Sequence, residues 1–255
     1  MKRVVTSLIL IPAVLYVVIL GRPWLAFAAV TLCAMLCYRE YCGIAAGYGV
    51  TKLGPLGFAA GLGVLALSDG SAIFLTVVAL AGISLAMRSE ELAEVLPRAS
   101  AMLLGVVYIF GPWKCAILLR DMSPYWLLFA LAINWVGDIS AYYVGKNLGM
   151  HKLARRISPG KSWEGAIASV VASIAFGVVY LKRFSADMPL VQVVALSALA
   201  NIAGQLGDLA ESALKRGAGV KDSGTILPGH GGLLDRVDST LFTMPAVYLW
   251  FRLVK

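Results

Sequence analysis

The sequence predicts an all-α polytopic integral membrane protein of about nine transmembrane helices, with its N-terminus cytoplasmic. Three observations carry this expectation. Charged residues make up only 14% of the chain and hydrophobic ones 60%, against about 25% charged in a soluble domain. Apolar runs near the ~20 residues a helix needs to cross a bilayer recur from end to end. Lysine and arginine also favour one side. Fourteen fall in loops on the side of the N-terminus and six in the opposite loops, as expected when the richer side is cytoplasmic.

The candidate spans are residues 4–20, 23–38, 53–68, 72–88, 99–119, 125–145, 165–181, 190–214 and 233–253. The first follows Lys2 and Arg3, as a signal peptide would. No small-residue cleavage site follows it, and Arg22-Pro23 leads straight into the next span, so it reads as a retained helix. Tyr38-Arg39-Glu40-Tyr41, ending the second span, reads as an interfacial anchor, with a role in a site as the alternative. The loop RSEELAEVLPR (88–98) reads as a solvated helical connection with Glu90, Glu91 and Glu94 facing water. Residues 1–120 therefore look like scaffold.

Several function classes drop out at this stage. Cys33, Cys37, Cys42 and Cys115 form no Cys-x-x-Cys pair and the two histidines lie far apart, which argues against a zinc site. The lack of an internal repeat gives no support to a transporter built from inverted halves. The net charge of +8 is accounted for by the loop asymmetry and by anionic headgroups, so no nucleic-acid partner is expected.

Residues 121–255 read as the catalytic region, with a polar site at the cytoplasmic face. Ionisable residues inside membrane helices must be offset by partners, metal or water, which makes them functional candidates. Asn134, Asp138 and Tyr142 are spaced i, i+4, i+8 and share one helical stripe. Asp208, Glu211, Ser212 and Lys215 form a second polar stripe, and Asp235 and Asp238 open the last span. Snorkelling helix-end charges would explain any one of these groups, but three acid-bearing helices favour a shared site. Hard carboxylate oxygens suit Mg²⁺, which takes one or two carboxylates together with phosphate oxygens and water. Beside the acids lie Lys215, Arg216 and Lys221 and a glycine-rich run that includes Gly231 and Gly232. Glycines let backbone N–H groups approach an anion, and the start of the last helix adds more. Acids, bases and glycines together describe a polyphosphate site and point to phosphoryl or nucleotidyl transfer.

The loop ISPGKSWEG (157–165) lies on the same side. It is no Walker motif, because Arg155 stands where the first glycine would be. Ser162 is instead a candidate helix cap, with Lys161 beside it either to meet phosphate or simply as a cytoplasmic charge.

Taken whole, SALKRGAGVKDSGTILPGHGGLLDRVDS (212–239) resembles the signature of the phosphatidate cytidylyltransferases, the CDP-diacylglycerol synthases. The residues that carry the resemblance include Ser212, Lys215, Arg216, Lys221, Asp222, Gly224, Pro228, His230, Gly231, Gly232, Asp235, Arg236 and Asp238. GDISAYYVGKNLG and ISPGKSWEG, with Lys161, Ser162 and Glu164, are similar to two further family segments. In the second, Gly160 and Ser162 replace the usual lysine and threonine. The resemblance covers about residues 130–240 closely.

It implies an enzyme of phospholipid biosynthesis in the bacterial inner membrane, its active site facing the cytoplasm. CTP and phosphatidic acid would give CDP-diacylglycerol and pyrophosphate, with Mg²⁺ as cofactor and a second, monovalent cation left open. By the same resemblance Asp208 and Asp235 hold metal, and Lys215, Arg216, Lys221 and Arg236 contact phosphates. Lys161 meets a nucleotide or lipid phosphate, Ser162 and Glu164 belong to the same substrate-binding segment, and Asp138 completes the pocket. Asp222 and Asp238 are either metal ligands or the partners that orient Arg216 and Arg236. His230, flanked by glycines, either bonds phosphate or orders the loop. A homodimer is implied by the family alone. The rivals are a CTP-dependent lipid kinase, which would pass the γ-phosphoryl group to an alcohol, the archaeal ether-lipid cytidylyltransferase, and an ion-coupled transporter.

Overall fold

The computed structural model describes residues 12–51, 53–67, 71–87, 91–227, 229 and 231–254. Residues 4–11 of the first expected span therefore lie outside the described residues, and a short π-helical segment, Tyr16–Leu20, ends it. Nine α-helices follow among the described residues: α1 (Pro23–Gly47), α2 (Gly54–Ala66), α3 (Ser71–Ala86), α4 (Val95–Gly105), α5 (Gly111–Met122), α6 (Pro124–Leu148), α7 (Trp163–Phe184), α8 (Leu190–Gly217) and α9 (Leu234–Leu253). A π-helical turn, Val106–Phe110, joins α4 to α5. One departure from an all-α chain is a small antiparallel hairpin of β1 (Lys152–Ala154) and β2 (Ser158–Ser162), with an irregular register.

Among the described residues, five helical stretches are long and apolar enough to cross a membrane: Pro23–Gly47, Leu92–Met122, Pro124–Leu148, Trp163–Phe184 and Leu190–Gly217. The helix α2, with 13 residues, is about 20 Å long at ~1.5 Å per residue, short of the ~30 Å hydrocarbon layer. In α9, Asp235, Arg236, Asp238 and Arg252 add charge to an otherwise apolar helix.

The chain divides into two compact units. One contains Gly21–Ile117 and Leu214–Arg236, so the segment that closes α8 and opens α9 belongs with the early helices. Its core is aromatic. Tyr38 is fully buried, edge-on to Phe58 with ring centroids 4.9 Å apart and 5.4 Å from Phe110. Gly57 and Gly61 let α2 approach these two rings, because a methyl group at either position would overlap the ring it faces. Lys114 Nζ donates to the Leu65 carbonyl at 2.8 Å and satisfies an open acceptor at the end of α2.

The other unit contains Val14–Leu20, Leu118–Ala213 and Val237–Lys255. In α7 the residues Gly165, Ser169, Ser173, Gly177 and Leu181 are all buried. The first four, small residues at i, i+4 spacing, let neighbouring helices pack closely without a hydrophobic drive from water. Serine and amide groups cross-link the layers. Asn201 Nδ2 donates to Ser169 Oγ at 3.0 Å, and Thr243 Oγ1 donates to Asn134 Oδ1 at 3.1 Å. Each removes a polar group from lipid by pairing it inside the bundle.

Candidate active site

The candidate residues are held in two clusters, one in each unit. In the first, α8 ends in a tight reversal. Gly219 adopts φ +74°, its N–H reaches the Arg216 carbonyl at 3.1 Å, and Val220 N–H reaches the Lys215 carbonyl at 3.0 Å. This pair of bonds is a Schellman termination, which needs glycine at the left-handed position. It fixes the last turn of α8 and with it Lys215, whose ammonium lies 2.5 Å from Asp235 Oδ1.

Asp235, in the first turn of α9, accepts more than this ion pair. Ser223 N–H donates to both carboxylate oxygens at 3.1 and 3.0 Å, and Gly232 N–H donates to Oδ2 at 2.8 Å. Its side chain is 6% exposed and that of Lys215 10%. Gly231, at φ +83°, passes so close that a Cβ would sit 2.7 Å from Asp235 Oδ2. Leu227 N–H donates to the Gly231 carbonyl at 2.9 Å and draws the glycine-rich loop closed. Arg216, Lys221, Asp222 and Arg236 are exposed. Arg216 Nη1 donates to the Val220 carbonyl at 3.2 Å. His230, like Pro228, lies outside the described residues.

Glu40 completes this cluster, and its role was not legible from sequence. The Tyr38-Arg39-Glu40-Tyr41 group is no water-facing anchor: Tyr38, Glu40 and Tyr41 are buried in protein and only Arg39 is exposed. The Glu40 carboxylate accepts from Ser223 Oγ at 2.9 Å, Leu233 N–H at 2.9 Å and Leu234 N–H at 2.7 Å. The one sequence signal was an acid near the end of an apolar span, where burial demands partners.

The second cluster is built on α6, the hairpin, α7 and α8. Lys161 Nζ lies 2.6 Å from Asp208 Oδ2, both side chains roughly a third exposed, and Ser212 Oγ donates to Asp208 Oδ1 at 3.4 Å. Ser162 caps α7 as expected. It is buried, its backbone is extended, and its Oγ accepts from Gly165 N–H at 3.2 Å. Glu164 turns back to the hairpin: it accepts from His151 N–H at 3.1 Å, and His151 Nδ1 lies 2.6 Å from its Oε1. Asp138 is exposed on α6, one turn from buried Asn134. On α8 Glu211 is buried, and on α9 Asp238 Oδ1 accepts from Ser239 N–H at 2.7 Å.

No group of three or more metal-competent side chains gathers among the described residues. Magnesium does not need one, because phosphate oxygens and water fill most of its shell. Asp208 fits this use directly, being partly exposed and holding one close cation. Asp235 fits in donor type, yet its oxygens are engaged by an ammonium and two backbone amides. In both clusters a lysine ammonium neutralises the acid.

A stretch of 148 residues is 40% identical to the phosphatidate cytidylyltransferase of Bacillus subtilis (strain 168), covering 57% of this chain and 55% of that protein. Proteins of the same name from Staphylococcus haemolyticus (strain JCSC1435) and Staphylococcus aureus (strain COL) are 39% and 40% identical over 147 residues, each covering 58% of this chain and 56% of the relative. The match thus spans little more than half the length of these curated relatives. The match to the family as a whole runs over residues 1–254, and the chain belongs to the cytidylyltransferase family.

Proposed function

We propose that this protein is a CTP:phosphatidate cytidylyltransferase, which joins CMP from CTP to phosphatidic acid and releases pyrophosphate. The observation that carries the reading is the Asp235 cluster. There a buried carboxylate–lysine pair is locked to the backbone of a glycine-rich, cation-flanked loop, a setting suited to a nucleotide triphosphate. A phosphatidate oxygen attacks the α-phosphorus as the bond to the pyrophosphate oxygen breaks. The attacking phosphate monoester is already anionic at neutral pH, so positioning and charge stabilisation matter more than a strong base.

In this reading Asp208, Asp235 and Asp238 are the acids that would hold Mg²⁺, which would neutralise charge on the transferring and leaving phosphates. Lys215, Arg216, Lys221 and Arg236 hold phosphate oxygens, with Gly231 and Gly232 letting the loop backbone come close to them. Lys161 meets a further phosphate on the nucleotide or lipid. Ser162 and Glu164 keep Lys161 in place by capping α7 and tying it to the hairpin, and Asp138 closes the polar pocket. Asp222 belongs to the same substrate-binding loop. Lys161 and Lys215, which face Asp208 and Asp235, are the cations beside the acids that would hold the metal.

The reading extends to the whole protein: nine crossings, the N-terminus and both clusters on the cytoplasmic side of a bacterial plasma membrane, and a homodimer as the working unit. Purified protein in mixed micelles with CTP, phosphatidic acid and Mg²⁺ is expected to form a lipid-linked CMP together with pyrophosphate, and EDTA is expected to stop both. Absence of any CMP-lipid with an active control enzyme alongside would refute the proposal.

A further inference from the structure

We infer that Glu40 is the positioning residue for the glycine-rich loop. The carboxylate acts through Ser223, Leu233 and Leu234 and contacts no reacting atom. Three features of its surroundings lead to this assignment, all within one unit.

Its bonding is divided between the two ends of the loop. Oε2 receives the Ser223 hydroxyl and Leu234 N–H, while Oε1 receives Leu233 N–H. Ser223 lies at the start of the loop, and residues 233 and 234 are where α9 begins. One carboxylate therefore clamps a chain excursion of about ten residues at both ends. It also satisfies N–H groups that open α9, where a negative charge is favoured by the helix dipole.

The same two ends hold Asp235. Ser223 N–H and Gly232 N–H both donate to Asp235, so Ser223 gives its hydroxyl to Glu40 and its amide to Asp235. Movement of Ser223 away from Glu40 would strip a donor from Asp235 and loosen its pairing with Lys215.

The loop is also shaped around Glu40. A Cβ on Gly224 would lie 2.7 Å from Glu40 Oε1, and one on Gly232 would overlap Ser223 Oγ and lie 2.5 Å from Glu40 Oε2. These two glycines answer to a side chain more than 180 residues away in sequence. On its own helix Glu40 is held by its neighbours. Tyr41 donates to the Ala101 carbonyl at 2.9 Å, and Tyr48 donates to the Leu214 carbonyl at the end of α8 at 2.9 Å. The α1 segment and Tyr48 just past its end are thereby tied to α4 and to Leu214 within the same unit.

The consequence for turnover rests on the proposed cytidylyl transfer, but the positioning role can be measured without it. Hydrogen–deuterium exchange on the detergent-solubilised full chain should show Glu40→Ala raising exchange at residues 223 and 232–235 by about tenfold or more, as expected for loss of bonds to a charged acceptor. Amides of α2, α4 and α5 should stay at their wild-type rates. E40Q keeps one acceptor oxygen and should give a smaller rise at the same residues, and it serves if E40A fails to fold.

In the transfer assay both variants should lower kcat more than they raise KM for CTP, E40Q less than E40A. Unchanged exchange at 223 and 232–235, or a rise spread evenly through the unit, overturns the inference. A wild-type protein without transfer activity but with this local exchange pattern in the variants would sink the enzymatic reading and leave the positioning role standing.

Discussion

At the residue scale the two acid–lysine pairs separate by burial. Lys161–Asp208 is partly solvated, whereas Lys215–Asp235 is nearly buried and anchored to backbone amides. Removing one partner of a buried pair leaves an uncompensated charge, at a cost of about 3 kcal/mol. Lys215→Met should therefore lower the thermal midpoint in detergent clearly more than Lys161→Met, and equal shifts would contradict the difference in burial. Asp235→Asn keeps the side-chain volume and an acceptor oxygen. Transfer should fall by about 100-fold or more, the scale of losing one charge-stabilising group, while size-exclusion chromatography still shows folded protein. Near-normal turnover in this variant would remove Asp235 from the reaction. A third substitution concerns the cap: Ser162→Ala should cost α7 about 1 kcal/mol, read as a lower midpoint.

At the scale of elements the helices were legible because apolar length is a strong signal, and several expected spans end within a few residues of the observed helices. The departures have identifiable causes. The helix α1 continues to Gly47, well past the expected end at residue 38, because Tyr38, Glu40 and Tyr41 find partners inside the protein. The hairpin at 152–162 was not legible. Its strands are three and five residues long, contain Pro159 and Gly160, and show no alternation of apolar side chains. The loop from Lys221 to Leu233 stood out in the sequence as a candidate site by its density of charge and glycine, whereas the acid that clamps it did not. Glu40 is local to an apolar helix and its partners come from the far end of the chain. The loop geometry itself gives a test. Gly231→Ala would force an alanine into φ +83° against Asp235, a conformation costing L-residues roughly 1–2 kcal/mol. Transfer should be lost, while Gly43→Ala on α1, with nothing near its Cβ, should leave it unchanged. Similar losses from both would show that the position is not special.

At the scale of the whole molecule, the five apolar helices of crossing length among the described residues and the distribution of basic residues make the membrane the organising solvent. The proposed orientation places Lys221 on the cytoplasmic side and Arg22 on the other. In a background with the four native cysteines replaced, K221C should label in inside-out vesicles and R22C in right-side-out cells with an impermeant maleimide. The reverse pattern would invert the topology.

The central claim is which phosphorus of CTP the protein attacks, and the fate of two labels tests it most directly. Purified protein in mixed micelles with phosphatidic acid and Mg²⁺ would receive CTP labelled at either the α- or the γ-phosphate. The account predicts α-label in the lipid and γ-label in pyrophosphate. Label from the γ-position in the lipid would contradict it and make this protein a kinase.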